Sequence, residues 1–179
     1  IIELFKQHNT EVFKQIGVDF ALGTYKRYET TLNHLIEFIS FKYSRQSFAV
    51  GELNYKFVKD LEHYLKTERT IGNNSTVKYI KNFKKIVLIA LKRGLIDRDP
   101  FLDFNTRLTP VKREALTEKE LQKLRSKKLH FGRLEAVRDL FLFSCYTGLA
   151  FADVIKLEAL NVVIGVDGNK WLKVDRTKT

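Results

Sequence analysis

One stretch decides the fold of the later part of this chain, Phe141-Leu-Phe-Ser-Cys-Tyr-Thr-Gly-Leu-Ala-Phe-Ala-Asp-Val-Ile-Lys-Leu157. Its apolar residues predict a helix that ends at Thr147-Gly148, because glycine readily adopts the left-handed conformation of a helix C-terminus. The chain is then predicted to restart as a helix toward Asp153. Cys145 lies among the apolar residues and is therefore predicted to be a small core residue. Further on, residues 171–179 predict a strand that carries Lys178 at its tip.

Residues 1–96 show a helical spacing of apolar side chains almost throughout. The spacing predicts helices over 1–16, 24–43, 54–69 and 76–93. Thr24 is the predicted N-cap of the second helix, and the turn-forming residues 72–75 are a predicted loop before the fourth. Four helices joined by short links favour a compact helical bundle.

A connector over 97–113 contains both prolines of the chain, Pro100 and Pro110. Proline favours extended backbone in the residue before it, so this segment is predicted to link two domains. Phe101 and Phe104 are expected to pack the linker against the protein.

A second domain is predicted to begin after this connector. Thr117 and Glu120 have the spacing of a capping box, which predicts a new helix at this point. The expected fold class is mainly α. It comprises a four-helix domain over 1–96, the linker over 97–113, and the first helices and β-hairpin of an α+β domain over 114–179.

The fourth predicted helix carries a row of lysines. At 100° per residue, Lys78, Lys81, Lys85 and Lys92 fall on one face, apart from the apolar residues of that helix. No acidic residue occurs in 72–95, so the helix offers these lysines no carboxylate partner. Such a row suits phosphate contacts that position DNA without reading its sequence. The alternative is an ordinary solvated face.

The chain carries 32 Lys and Arg against 21 Asp and Glu, and its formal net charge of +11 favours an anionic partner. Nucleic acid fits better than a membrane surface, because no amphipathic anchor with surface Trp and Phe is visible. Lys26 and Arg27, near the start of the second helix, are further candidate DNA contacts. No apolar run is long enough to span a bilayer, and nothing indicates a metal ion or a cofactor. The protein is predicted to be cytoplasmic.

The order of these features resembles that of tyrosine recombinases, the phage-integrase family, as encoded by mobile elements. A helical SAM-like core-binding domain, a proline-containing linker, a Leu-Thr-x-x-Glu-Leu helix at 116–121 and the Tyr-Thr-Gly-Leu turn follow one another as in those enzymes. The resemblance implies that the full-length protein binds double-stranded DNA as a tetramer and exchanges strands through a 3′-phosphotyrosine. It also implies that Lys178 is the general acid and that Asp153 supports the site by hydrogen bonds.

Two features depart from the family. Ala150 stands where the family has its first arginine, and we hypothesise that Arg138 replaces that charge, with a salt bridge as the alternative. All seven tyrosines lie at or before Tyr146, so the nucleophile of the family, which follows the lysine hairpin, has no counterpart here. We therefore expect a piece of a longer protein that binds DNA without cutting it.

Three functions fit these observations. The first is a site-specific recombinase without its catalytic C-terminal part. The second is a non-catalytic DNA-binding regulator related to recombinases. The third is a helical protein-interaction module whose charge serves solubility alone.

Overall fold

A computed structural model describes residues 1–175 of the chain. The described part is mainly helical, with one small antiparallel sheet, which confirms the predicted fold class at that level. The chain divides into two compact units, Ile1–Val111 and a second unit that begins at Lys112. None of the helices in residues 1–175 has the length and apolar character needed to cross a membrane.

The first unit contains four α-helices. They are α1 (Ile2–Lys14), α2 (Leu22–Tyr43), α3 (Tyr55–Thr67) and α4 (Asn73–Lys92). Asn54 caps α3, because its side-chain oxygen accepts a hydrogen bond of 2.9 Å from the N–H of Phe57. These four helices lie where the apolar spacing predicts helices.

Two predicted helix starts are wrong. Thr24 is not an N-cap, because α2 already begins at Leu22, after Ala21, and has no side-chain cap. The predicted loop over 72–75 is mostly helical, since α4 begins at Asn73. The side chains of Asn73 and Asn74 bond to residues 107–109, which stabilises the added turn through contacts distant in sequence.

Aromatic side chains fill the core of the first unit. Phe38, Phe57 and Phe83 are buried on α2, α3 and α4, with ring centroids 5.1 Å apart for Phe38–Phe57 and 5.9 Å for Phe57–Phe83. Phe5 of α1 is fully buried in the same cluster. Burial of these large rings accounts for the packing of all four helices on one another.

The segment after α4 also belongs to this core. Phe101 is 1% exposed and its ring lies 5.7 Å from that of Phe83, while Phe104 packs edge-on against Phe101. Further along, Asn74 and Thr109 exchange two hydrogen bonds of 2.8 Å between the asparagine amide and the threonine backbone. Most of the predicted connector is therefore folded onto the first unit.

The second unit begins with two helices and a short third one. They are α5 (Glu118–Ser126), α6 (Gly132–Thr147) and α7 (Phe151–Val154). The capping box at the start of α5 is confirmed, since Thr117 and Glu120 bond reciprocally. Gly148 ends α6 with a φ of 67°, so the predicted helix break is confirmed as well.

A β-hairpin follows these helices. Strand β1 (Val162–Ile164) pairs antiparallel with β2 (Lys170–Leu172). Trp171 donates a hydrogen bond of 2.9 Å from Nε1 to Asp167 in the turn, and its ring covers Gly165 so closely that a Cβ there would clash. A strand is predicted over 171–179, but within the described residues β2 ends at Leu172. Lys178 lies outside the described residues.

Helix α6 leaves much of its apolar surface exposed. Cys145 is predicted to be a core residue, and this prediction is wrong: in the described part of the chain its side chain is exposed. The exposed apolar side chains of this helix include Leu134, Val137, Leu140, Phe141 and Tyr146.

Candidate nucleic-acid interface

The outer face of α4 carries four exposed lysines, Lys78, Lys81, Lys85 and Lys92, which we call the lysine ridge. The opposite face of the helix is buried in the core through Ile80, Phe83 and Val87. The core therefore fixes the rotation of α4 about its axis, and this rotation directs the ridge to solvent, as the helical spacing predicts.

Helix α2 lies antiparallel beside α4. Three contacts define the pairing: Lys85 to Tyr28, Asn82 to Thr31 (both 3.0 Å), and the rings of Tyr79 and His34 (4.8 Å between centroids). Lys26 and Arg27 are exposed in the first part of α2. Arg27 donates a hydrogen bond of 3.1 Å from Nε to the carbonyl of Gly23, one turn earlier. Thr31, on the same helix, is buried and is not available to DNA.

The cations of the first unit differ in whether they pair with carboxylates. In residues 1–175 the lysine ridge, Lys26 and Arg27 form no salt bridge with a carboxylate. Four cations around α3 and the end of α2 are paired instead: Lys42 with Asp60, Lys59 and Lys66 with Glu62, and Arg69 with Glu37. Helix α4 carries more cations without a salt bridge than any other helix of the first unit, and this positive charge attracts anions.

The second unit brings the glycine turn close to the hairpin. A shallow cavity of about 260 Å³ lies between Thr147–Leu149 of the turn and Leu172 and Val174 of the hairpin. Ala150 is exposed and forms the N-cap of α7. Asp153, one of the candidate catalytic residues, is buried on α7 just below this turn. None of the residues that line the cavity in the described part of the chain is charged.

Arg138 occupies a structural position in the second unit. Its Nε donates a hydrogen bond of 2.8 Å to Oδ1 of Asp139, and its Nη1 donates one of 2.8 Å to the carbonyl of Lys127. Lys127 is the C-cap of α5, so Arg138 joins α6 to the end of α5. These contacts match the salt-bridge alternative for Arg138.

One comparison with known proteins identifies the family. A model of the phage integrase SAM-like domain matches residues 1–108, which is more than half of the chain. The chain belongs to the phage-integrase, or tyrosine recombinase, family. The resemblance in the sequence is thereby confirmed. No curated protein and no solved structure matches the chain.

Metal ions in proteins are commonly held by clusters of His, Cys, Asp and Glu side chains. Within residues 1–175 no group of three or more His, Cys, Asp or Glu side chains is arranged to hold a metal ion. The candidate sites in the described part of the chain remain the lysine ridge and the turn beside Ala150.

Sequence spacing does not reveal the side chains that contact the ridge from other elements. Tyr28 touches Lys85 although 57 positions separate them, and Phe20 lies under the same ammonium group. Both aromatic residues have the spacing of ordinary core positions. The contact between Lys85 and these aromatic residues therefore cannot be recognised from the sequence alone.

Two histidines, the buried His8 and the half-buried His34, predict how the stability of the SAM-like domain depends on pH. Burial lowers the pKa of both His8 and His34, and the positive charges of Lys85 and Arg69 lower them further. Between the ordinary histidine pKa of about 6.5 and these lowered values, the unfolded chain binds more protons than the folded one. The free energy of unfolding is therefore expected to fall as the pH drops below about 6.5.

Urea unfolding between pH 7.5 and pH 5 measures this dependence. The double variant His8→Gln with His34→Gln is expected to flatten it. Equal pH dependence in the double variant and the unaltered chain would contradict the assignment.

Proposed function

We propose that the first unit binds double-stranded DNA through the lysine ridge, with Lys26 and Arg27 as additional contacts. The observation that carries the proposal is the row of exposed lysines on α4 that form no salt bridge within residues 1–175. Family membership supports it, since the matched model describes an integrase domain. A face of unpaired lysines on a rigid helix is what non-specific phosphate binding requires.

The length of the ridge suits a DNA backbone. Lys78 and Lys92 are 14 residues apart, which at a rise of about 1.5 Å per residue places their Cα atoms about 21 Å apart. Each DNA strand has one phosphate per about 3.4 Å of helix axis, so a ridge of this length meets several phosphates. Contacts of this kind set the position of the protein on DNA and leave sequence recognition to other groups.

We further propose that the chain is part of a site-specific recombinase that breaks and rejoins DNA as a tetramer. Lys178 and Asp153 are the candidate catalytic residues in this proposal, and Arg138 is the candidate for the charge that Ala150 does not supply. Arginine suits a phosphorane transition state because its planar donors stay charged. Arg138 would have to exchange its contacts with Asp139 and Lys127 to reach a phosphate, which makes it the weakest of the three candidates.

Ala150 favours a second candidate function, a non-catalytic regulator that occupies recombination sites. Loss of one donor to a transition-state oxyanion typically costs a factor of about 10²–10³ in rate. The two functions differ in one product, a covalent protein–DNA adduct formed by the full-length protein on its target site. A trapped adduct would exclude the regulator.

A salt titration of DNA binding tests the proposal for the first unit. Fluorescence anisotropy with a labelled duplex is expected to show tight binding at low salt. The plot of log K against log salt concentration should have a slope of about −3.6 or steeper, which corresponds to four released counterions at about 0.9 each. Absence of binding at low salt would overturn the proposal and favour a protein-interaction module.

A further inference from the structure

Lys85 differs from the other members of the lysine ridge in being held by aromatic side chains. Its Nζ donates a hydrogen bond of 3.0 Å to the hydroxyl of Tyr28. The same ammonium group lies 5.3 Å from the ring centroid of Tyr28 and 5.6 Å from that of Phe20, within the range of cation–π attraction. Lys78, Lys81 and Lys92 have no such contact among the described residues.

The aromatic support of Lys85 is assembled from separate elements of the first unit. Tyr28 belongs to α2, whereas Phe20 lies in the loop between α1 and α2. This loop is closed tightly: the N–H of Gly17 donates a 2.9 Å bond to the carbonyl of Phe20, and Gly17 has a φ of 86° that favours glycine. The support therefore depends on the fold and not on α4 alone.

Side chains of α1 pack against the ring of Tyr28 and restrict its movement. Tyr28 is only 7% exposed, and the ring of His8 packs edge-on against it with centroids 4.7 Å apart. Phe5 also contacts the Tyr28 ring at 6.4 Å. A ring enclosed in this way cannot turn aside, so its hydroxyl keeps a fixed position beside Lys85.

We propose that Tyr28 is a positioning residue that holds the ammonium group of Lys85 ready for one DNA phosphate, an inference that rests on the proposed function. A free lysine loses rotamer freedom when it contacts a phosphate, and a lysine that is already held loses less. Tyr28 accepts one of the three ammonium N–H bonds, which leaves two to donate to phosphate oxygens. Lys85 thereby becomes the strongest phosphate contact of the ridge, and the others remain mobile charges.

A double-mutant cycle tests this role. Lys85→Gln is expected to weaken duplex binding about tenfold and to reduce the salt slope by about 0.9. Tyr28→Phe keeps the ring but removes the hydroxyl, and is expected to weaken binding about three- to tenfold with the slope unchanged. Because the hydroxyl acts only through Lys85, Tyr28→Phe should have no further effect in the Lys85→Gln background.

Two controls separate positioning from a general effect on folding. Tyr28→Phe should retain its full effect in the Lys78→Gln background, and Tyr79→Phe, a half-buried tyrosine of α4 beside His34, should leave affinity unchanged. Equal effects of Tyr28→Phe with and without Lys85 would overturn the inference, as would full affinity in Tyr28→Phe. If no ridge substitution changes affinity, the proposed DNA-binding function itself fails.

Discussion

Replacing Lys78, Lys81, Lys85 and Lys92 together by glutamine is expected to weaken duplex binding by about three orders of magnitude near 0.1 M salt. Each phosphate contact contributes about 0.9 to the slope of log K against log salt, so four contacts contribute about 3.6. Titrations of this variant and the unaltered chain at several salt concentrations measure both quantities. The side chains are exposed, so the helix content by circular dichroism should not change.

A matched variant removes the same amount of charge from the other face. Lys42, Lys59, Lys66 and Arg69 each pair with a carboxylate, and their replacement by glutamine also lowers the net charge of +11 by four. Exposed ion pairs contribute only about 0–1 kcal/mol to stability each, so this variant should fold. Its affinity is expected to fall much less than that of the ridge variant. Equal losses would mean that the net charge, and not the ridge, determines binding.

Replacing Phe101 by alanine is expected to lower the free energy of unfolding by about 3–5 kcal/mol. The side chain is 1% exposed and packs against Phe83, so its loss opens a cavity in the core of the first unit. Leu102, the next residue, is 81% exposed, and Leu102→Ala should change the free energy by about 0.5 kcal/mol or less. Urea denaturation followed by far-ultraviolet circular dichroism compares the two variants.

The comparison of Phe101 with Leu102 decides a domain boundary. The proline-rich composition predicts a linker over 97–113, whereas the contacts of Phe101 and Phe104 extend the folded first unit to Val111. If both substitutions have similar, small effects on the free energy of unfolding, residues 97–113 form a linker as the sequence predicts. A large effect of Phe101→Ala alone would assign the segment to the first unit.

Local signals in the sequence predicted much of the fold. Apolar spacing located the four helices of the first unit, and the Thr117–Glu120 pair and Gly148 marked a helix start and a helix end correctly. These features depend on residues a few positions apart, which a sequence displays directly. The solvent-facing row of lysines on α4 follows from the same spacing.

Features that depend on distant contacts escaped prediction. Asn73 and Asn74 are typical turn residues, yet both are helical, with side chains bonded to residues 107–109. Thr24 has the composition of a helix cap, but α2 packs along α1 and starts earlier, at Leu22. Propensity is a weak signal compared with tertiary packing, and so such boundaries shift by several residues.

The hydrogen bonds between Asn74 and Thr109 shorten the part of the connector that could extend away from the first unit. If the chain were free from Asp97 onward, the 13 residues to Thr109 could extend to about 45 Å. The hydrogen bonds of Asn74 hold Thr109 at the beginning of α4, so these 13 residues do not extend away from the first unit. Ordering these residues costs conformational entropy, which the burial of Phe101 and the Asn74–Thr109 bonds offset.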